Sequence, residues 1–263
     1  TGSGKVTLSD IADTVKTVDG SASTGGMVIG GVGSVNTTIT GGTGDDTVSM
    51  GTSLDTNDTI YLGDGTDRIK VGGSETTALP NVTNVEIVEV DVDTQKNTSI
   101  TVSGKAFPSA TQFAVDALVD ADGNSTTITF SNMDDDDQIL IEASGGDTDG
   151  TGTKVTGTLA SNTSEDDITV TFKGIGALTA NAASNTGFAV LTLDSHETIN
   201  LVANKNSTGS VNTNGIDTFE AAVVESLVIT SGGGEIDIDA ITNTTALTSI
   251  DTTGSSSNVT IDG

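Results

Sequence analysis

Nine residues, Gly41 to Ser49 (GGTGDDTVS), carry three glycines, two adjacent aspartates and a single apolar side chain, Val48. One apolar residue in nine makes neither an amphipathic helix nor a half-buried sheet of its own. Such a segment keeps one shape only by stacking on similar segments, each adding its residue to a shared core. The residues that follow, to Lys70, support stacking. Asn57-Asp58-Thr59-Ile60-Tyr61 repeats the second half of the stretch, and Gly63-Asp64-Gly65-Thr66-Asp67-Arg68-Ile69-Lys70 repeats nearly all of it. Asp58 and Asp67 lie nine residues apart, as do Ile60 and Ile69, whereas Asp46 and Asp58 are separated by twelve. The spacing predicts tight glycine turns between very short strands, with Val48, Ile60 and Ile69 in one narrow column.

The rest of the chain is as rich in short strands. Alternation is clear in VEIVEVDVD (residues 85–93) and EIDIDA (235–240), and strand-like runs recur at 26–33, 126–130, 168–172, 189–193, 198–202, 226–230 and 258–262. Glu86, Glu197 and Glu225 each open an apolar strand. One short helix is expected over 110–118, after Phe107-Pro108. Pro80 ends a polar stretch and suggests a boundary: a roll-like region at 1–76, then a β-rich region at 77–263. The fold class is all-β, a parallel β-roll or β-solenoid that continues as solenoid or as sandwich-like sheets. The direct repeat favours the solenoid.

Charge narrows the chemistry. Nine basic residues against thirty-seven acidic ones give a net charge of -28. That excludes a phosphate-neutralising patch, so no nucleic-acid partner is expected. An anionic membrane repels such a chain, and no apolar run is long enough to insert in one. With no cysteine, disulfides, thiolate metal sites and Cys nucleophiles are ruled out. Self-repulsion of this size needs an offsetting positive charge, and a divalent cation suits it. Stacked turns bring carboxylates and carbonyls together at about 4.7–4.9 Å, a spacing that suits oxygen ligands about 2.3–2.6 Å from calcium. The candidate ligands are Gly42, Gly44, Asp46, Asp58, Gly63, Asp64, Gly65 and Asp67. Asp120, Asp122 and Asn124, and Asp147 and Asp149, resemble the opening of a calcium loop. Position twelve holds Ser131 or Thr158 instead of Glu, so neither is an EF-hand.

The full nonapeptide and its two partial copies resemble the RTX (repeats-in-toxin) calcium-binding β-roll proteins, and among them the self-assembling S-layer proteins. The motif covers about residues 41–73. The resemblance implies a right-handed β-roll with calcium between its turns, with Asp46 and Asp67 at the motif aspartate and Asp58 in a half-motif. It also implies extracellular display after type I export, self-assembly into a homo-oligomeric lattice, and anchoring to a surface glycan or lipopolysaccharide through another domain. Only one repeat is complete, so few calcium sites are expected.

Catalysis is not expected. His196 is the only histidine, sits beside Glu197 at a strand start, and is expected on the surface. No nucleophile elbow or Ser/His/Asp spacing accompanies it. Carboxylate pairs alone leave a β-helical carbohydrate-active enzyme as an alternative, but the chain has one tyrosine and no tryptophan to form a sugar platform. A second alternative is an RTX adhesin or a spacer in a longer secreted protein. If calcium holds the fold, acid should loosen it by protonating the ligands.

Overall fold

The computed structural model describes residues 2–79, 81–91, 99–115, 126–142, 153–173, 187–204 and 213–262. The described residues are almost entirely β-structure, and every strand pairing among them is parallel. An eleven-stranded sheet, here the long sheet, starts at Val6–Leu8 and ends at Ser249–Asp251. It takes one strand from each successive coil. The chain then crosses to a second face before returning. That face is a four-stranded sheet from Thr17–Asp19 to Val82–Thr83, followed by an eight-stranded sheet from Ser99–Ser103 to Val259–Ile261. The molecule is a parallel β-solenoid.

Period-two alternation explains the core. In Thr47–Gly51, Arg68–Val71, Asp167–Lys173 and Thr198–Asn204, alternate residues are buried. Inward side chains stack coil on coil: Val48 aligns with Ile69, Ile69 with Val88, Val88 with Phe113, and Phe113 with Ile139. One apolar cluster runs from Ile11 to Ile238 between the sheets. It has few aromatic rings, and two of them, Phe113 and Phe130, meet across the core with centroids 5.4 Å apart.

The nine-residue spacing has a different meaning from the expected one. Val48 and Ile69 share the long sheet, but Ile60 lies in the facing four-stranded sheet, paired with Ile39 and Val82. Nine residues carry the chain from one face to the other, and the stacking repeat is the whole coil: Thr47 aligns with Arg68, 21 residues on. Coils widen in the middle, where Asp167 aligns with Thr198, and narrow again where Ser226 aligns with Ser249.

The helix expected over 110–118 is instead a strand at Gln112–Val115, paired on both sides. Residues 116–118 lie outside the described residues. Phe113 and Val115 face the main core, while Ala114 is buried on the outer side with Ile87 and Leu140. A strand buried on both faces reads as a continuous apolar run, which hides its alternation. The long sheet also crosses 76/77 without a break, because Arg68–Val71 pairs with Ile87–Val90.

Candidate metal centre

The motif glycines lie where coils touch backbone to backbone. A Cβ on Gly42 would sit 2.0 Å from the Ser23 carbonyl oxygen. Gly63 has φ +97, and a Cβ there would lie 2.0 Å from the Gly42 carbonyl oxygen. Both positions therefore require glycine, for close approach at Gly42 and for close approach and backbone conformation at Gly63. Gly44 and Gly65 stack on each other's coil in the same turn. Asp64 is exposed, and its N–H donates to the Gly42 carbonyl at 3.0 Å.

The motif aspartates are buried at the corner that leads into each strand, and they hold the coils together. Asp46 Oδ1 accepts from the Met27 N–H at 2.6 Å, and its Oδ2 accepts from the Gly42 N–H at 3.0 Å. Asp67 Oδ1 accepts from the Asp46 N–H at 2.7 Å. Glu86 Oε2 accepts in turn from the Asp67 N–H at 2.8 Å. The column thus runs Met27, Asp46, Asp67, Glu86, each carboxylate bonded to the backbone of the coil before it. On the other face, Asp58 accepts from the Thr37 N–H at 2.8 Å and the Asp55 N–H at 2.9 Å. The strand-opening glutamates continue the device: Glu197 Oε2 accepts from the Asp166 N–H at 3.1 Å. At these corners one carbonyl also serves two amides. Asp67 accepts from Glu86 and Ile87, Asp166 from Glu197 and Thr198, and Glu197 from Glu225 and Ser226.

Those contacts bear on ion binding. Both oxygens of Asp46 and of Asp58 are engaged by amide hydrogens, and charge-assisted bonds of this kind are strong. These two residues therefore already act as caps between coils, with each oxygen accepting one amide hydrogen. Asp67 differs, because its Oδ2 is buried without a hydrogen-bond partner. Burial pushes its carboxyl up to about 7, and the Asp46, Glu86 and Asp45 charges push the same way. Among the described residues no three His, Asp or Glu side chains converge to hold a metal. Asp120, Asp122, Asn124, Asp147 and Asp149 lie outside the described residues.

Sequence reasoning left two residues without the roles they have here. Asp45 has no place in the nonapeptide template, yet its Oδ1 accepts from the Thr66 N–H of the next coil at 2.9 Å. Its neighbour Asp46 pairs with Met27 in the preceding coil, so the DD dipeptide ties one turn to both of its neighbours. His196, expected on the surface, is fully buried, and neither ring nitrogen finds a hydrogen-bond partner. Burial pushes its pKa down to about 4, against the pull of the Leu193 carbonyl and of Asp166 and Asp135.

A third polar group lies on the outer side of the long sheet. Arg68 pairs with Glu89 and Glu142, Lys70 pairs with Glu89, and Lys173 pairs with Glu142 at 3.0 Å. Glu89 is 1% exposed, so its charge depends on those cations. This network draws on four of the five coils from 68–71 to 167–173. Compared with family models, curated proteins and solved structures, the chain matches none.

Proposed function

We propose that this chain is a structural element of an acidic extracellular coat of the S-layer type. The observation that carries the reading is the solenoid itself, whose coils are joined by sheet hydrogen bonds, carboxylate caps and shared carbonyls. Such a body offers a fixed shape and a repetitive face. Outward positions of the long sheet carry small polar residues such as Thr47, Ser49, Thr169, Thr171, Asn200 and Thr230. A net charge of -28 keeps copies apart until cations screen them. Calcium enters this reading at one place among the described residues, the free oxygen of Asp67. Electron microscopy of the full-length protein with calcium should show ordered two-dimensional sheets. Dispersed particles at every calcium concentration would overturn the coat reading. A melting curve unmoved by chelator would remove calcium from it and leave the structural role standing.

A further inference from the structure

Asparagine is placed unevenly in this chain. Of its 17 asparagines, nine open an Asn-x-Ser/Thr triplet, although Ser and Thr are 73 of 263 residues and chance placement gives about five. Such a triplet is the acceptor sequence for N-linked sugar in exported proteins. Six of the nine lie among the described residues, at Asn36, Asn57, Asn81, Asn162, Asn243 and Asn258, and all six asparagines are exposed. The described asparagines outside such triplets differ. Asn214 is buried, Asn84, Asn132 and Asn200 are half-buried, and Asn204 alone is exposed. Asn84 donates to the Gly63 carbonyl, Asn132 to Ser103 Oγ and Asn214 to the Glu235 carbonyl, so these side chains tie neighbouring coils.

Three of the exposed triplets share one face. Asn36 and Asn57 occupy equivalent turns on consecutive coils, because Thr38 aligns with Thr59. Asn81 leads into the next strand of the same sheet, where Val82 aligns with Ile60. In each triplet the middle residue is buried, with Thr37, Asp58 and Val82 at 2% exposure or less. Period two then puts the asparagine and the hydroxyl residue together on the outer side. Among the described residues the Asn57 side chain bonds only to Asp55 in its own turn, and no hydrogen bond ties the side chains of Asn36 and Asn81. The described strands of the long sheet open no such triplet. Asn200 there is followed by Leu201-Val202, and Asn204 by Lys205-Asn206.

We propose that Asn36, Asn57 and Asn81 carry N-linked glycans, which coat the four-stranded face with sugar and leave the outer face of the long sheet bare. In the coupling step the asparagine Nδ2 bonds to the anomeric carbon of a sugar activated as a phosphate ester. The bond from that carbon to the phosphate oxygen breaks, the phosphate leaves with the electron pair, and the amide gives up one proton. Nothing is oxidised or reduced. The inference rests on the exported-coat reading for access to the coupling enzyme, and it adds a covalent chemistry that the reading does not contain.

Tandem mass spectrometry of the full-length protein from the cells that make it, cut into peptides spanning the three sites, should place a glycan on each asparagine. Thr38→Val, Thr59→Val and Thr83→Val remove the hydroxyl with a residue that suits a strand. Each should lose the sugar at its own asparagine and keep the other two, which also shows that the variant is made and exported. Peptides unmodified at all three sites would overturn the proposal. So would sugar that survives Asn36→Gln but is lost with Thr38→Val, since that sugar is linked to the hydroxyl. A bare chain that still forms ordered sheets would overturn the glycans and leave the coat standing. A glycosylated chain that forms no sheets would do the reverse.

Discussion

The amide of Asp46 donates to the carboxylate of Asp67, 21 residues further along the chain, at 2.7 Å. A residue type that the repeat offers as an ion ligand is acting as a hydrogen-bond acceptor for the backbone of the neighbouring coil. Only Oδ2 of Asp67 remains free, and it is buried.

Asp67→Asn tests what that free oxygen costs. The folded-state pKa is raised from 3.8 to about 7. The protonated form is therefore favoured by folding, and its contribution is complete below 3.8 and lost as pH rises through 7. In calcium-free buffer the variant should melt higher than wild type at pH 8, with the difference closing towards pH 4. This is opposite to the acid loosening expected of an ion-filled site. Calcium at pH 8 should raise the melting temperature of wild type and leave that of Asp67→Asn in place. Parallel pH profiles for the two proteins would refute the assignment.

His196 has the opposite dependence. Its folded pKa is lowered from 6.5 to about 4, so the unfolded chain binds the proton more readily. Its contribution to stability is complete above 6.5 and is lost as pH falls towards 4, by about 3 kcal/mol in all. Replacing His196 with Phe should flatten the melting profile between pH 6.5 and pH 4. A variant that retains the wild-type slope there would show that another group titrates.

Arg68 should matter more than Lys173. Arg68→Met removes a guanidinium from beside Glu89, which is 1% exposed, and leaves Lys70 paired with it among the described residues. Weakening a buried charge in this way should cost more than about 1 kcal/mol, short of the roughly 3–5 kcal/mol of a buried charge left with no partner. Lys173 is 46% exposed, so Lys173→Met should cost at most about 1 kcal/mol. Equal losses in chemical denaturation would contradict the burial argument.

Gly63→Ala should destabilise through the backbone. The new Cβ meets the Gly42 carbonyl at a φ that L side chains rarely adopt. Gly51, also at positive φ, has open space around it, so Gly51→Ala carries the conformational cost alone. The difference in unfolding midpoint between the two variants measures the coil contact, and similar midpoints would show that the coils yield there.

Much of this architecture was legible in the sequence. The alternating runs that begin at 85 and 235 contain the strands Ile87–Val90 and Glu235–Ile238, and the glycines of GGTGDDTVS mark the backbone contacts. What the spacing hid was the second face. Ile60 and Ile69 are nine residues apart because they face each other across the core, and only the pairing partners Ile39 and Val82 reveal it. The strand at 112–115 was masked by burial of Ala114 on its outer side. His196 and Asp67 owe their character to neighbouring coils roughly 20 to 30 residues away, which local reading does not bring together.

Rung length varies widely along the stack. Two aligned positions join Met27–Ile29 to Thr47–Gly51, and seven join Asp167–Lys173 to Thr198–Asn204. Sheet hydrogen bonds run along the stacking axis, so tension between the two ends loads each junction in turn and the weakest yields first. The narrow coils are then a mechanical fuse: stretched, the rod yields among them while its broad middle stays whole.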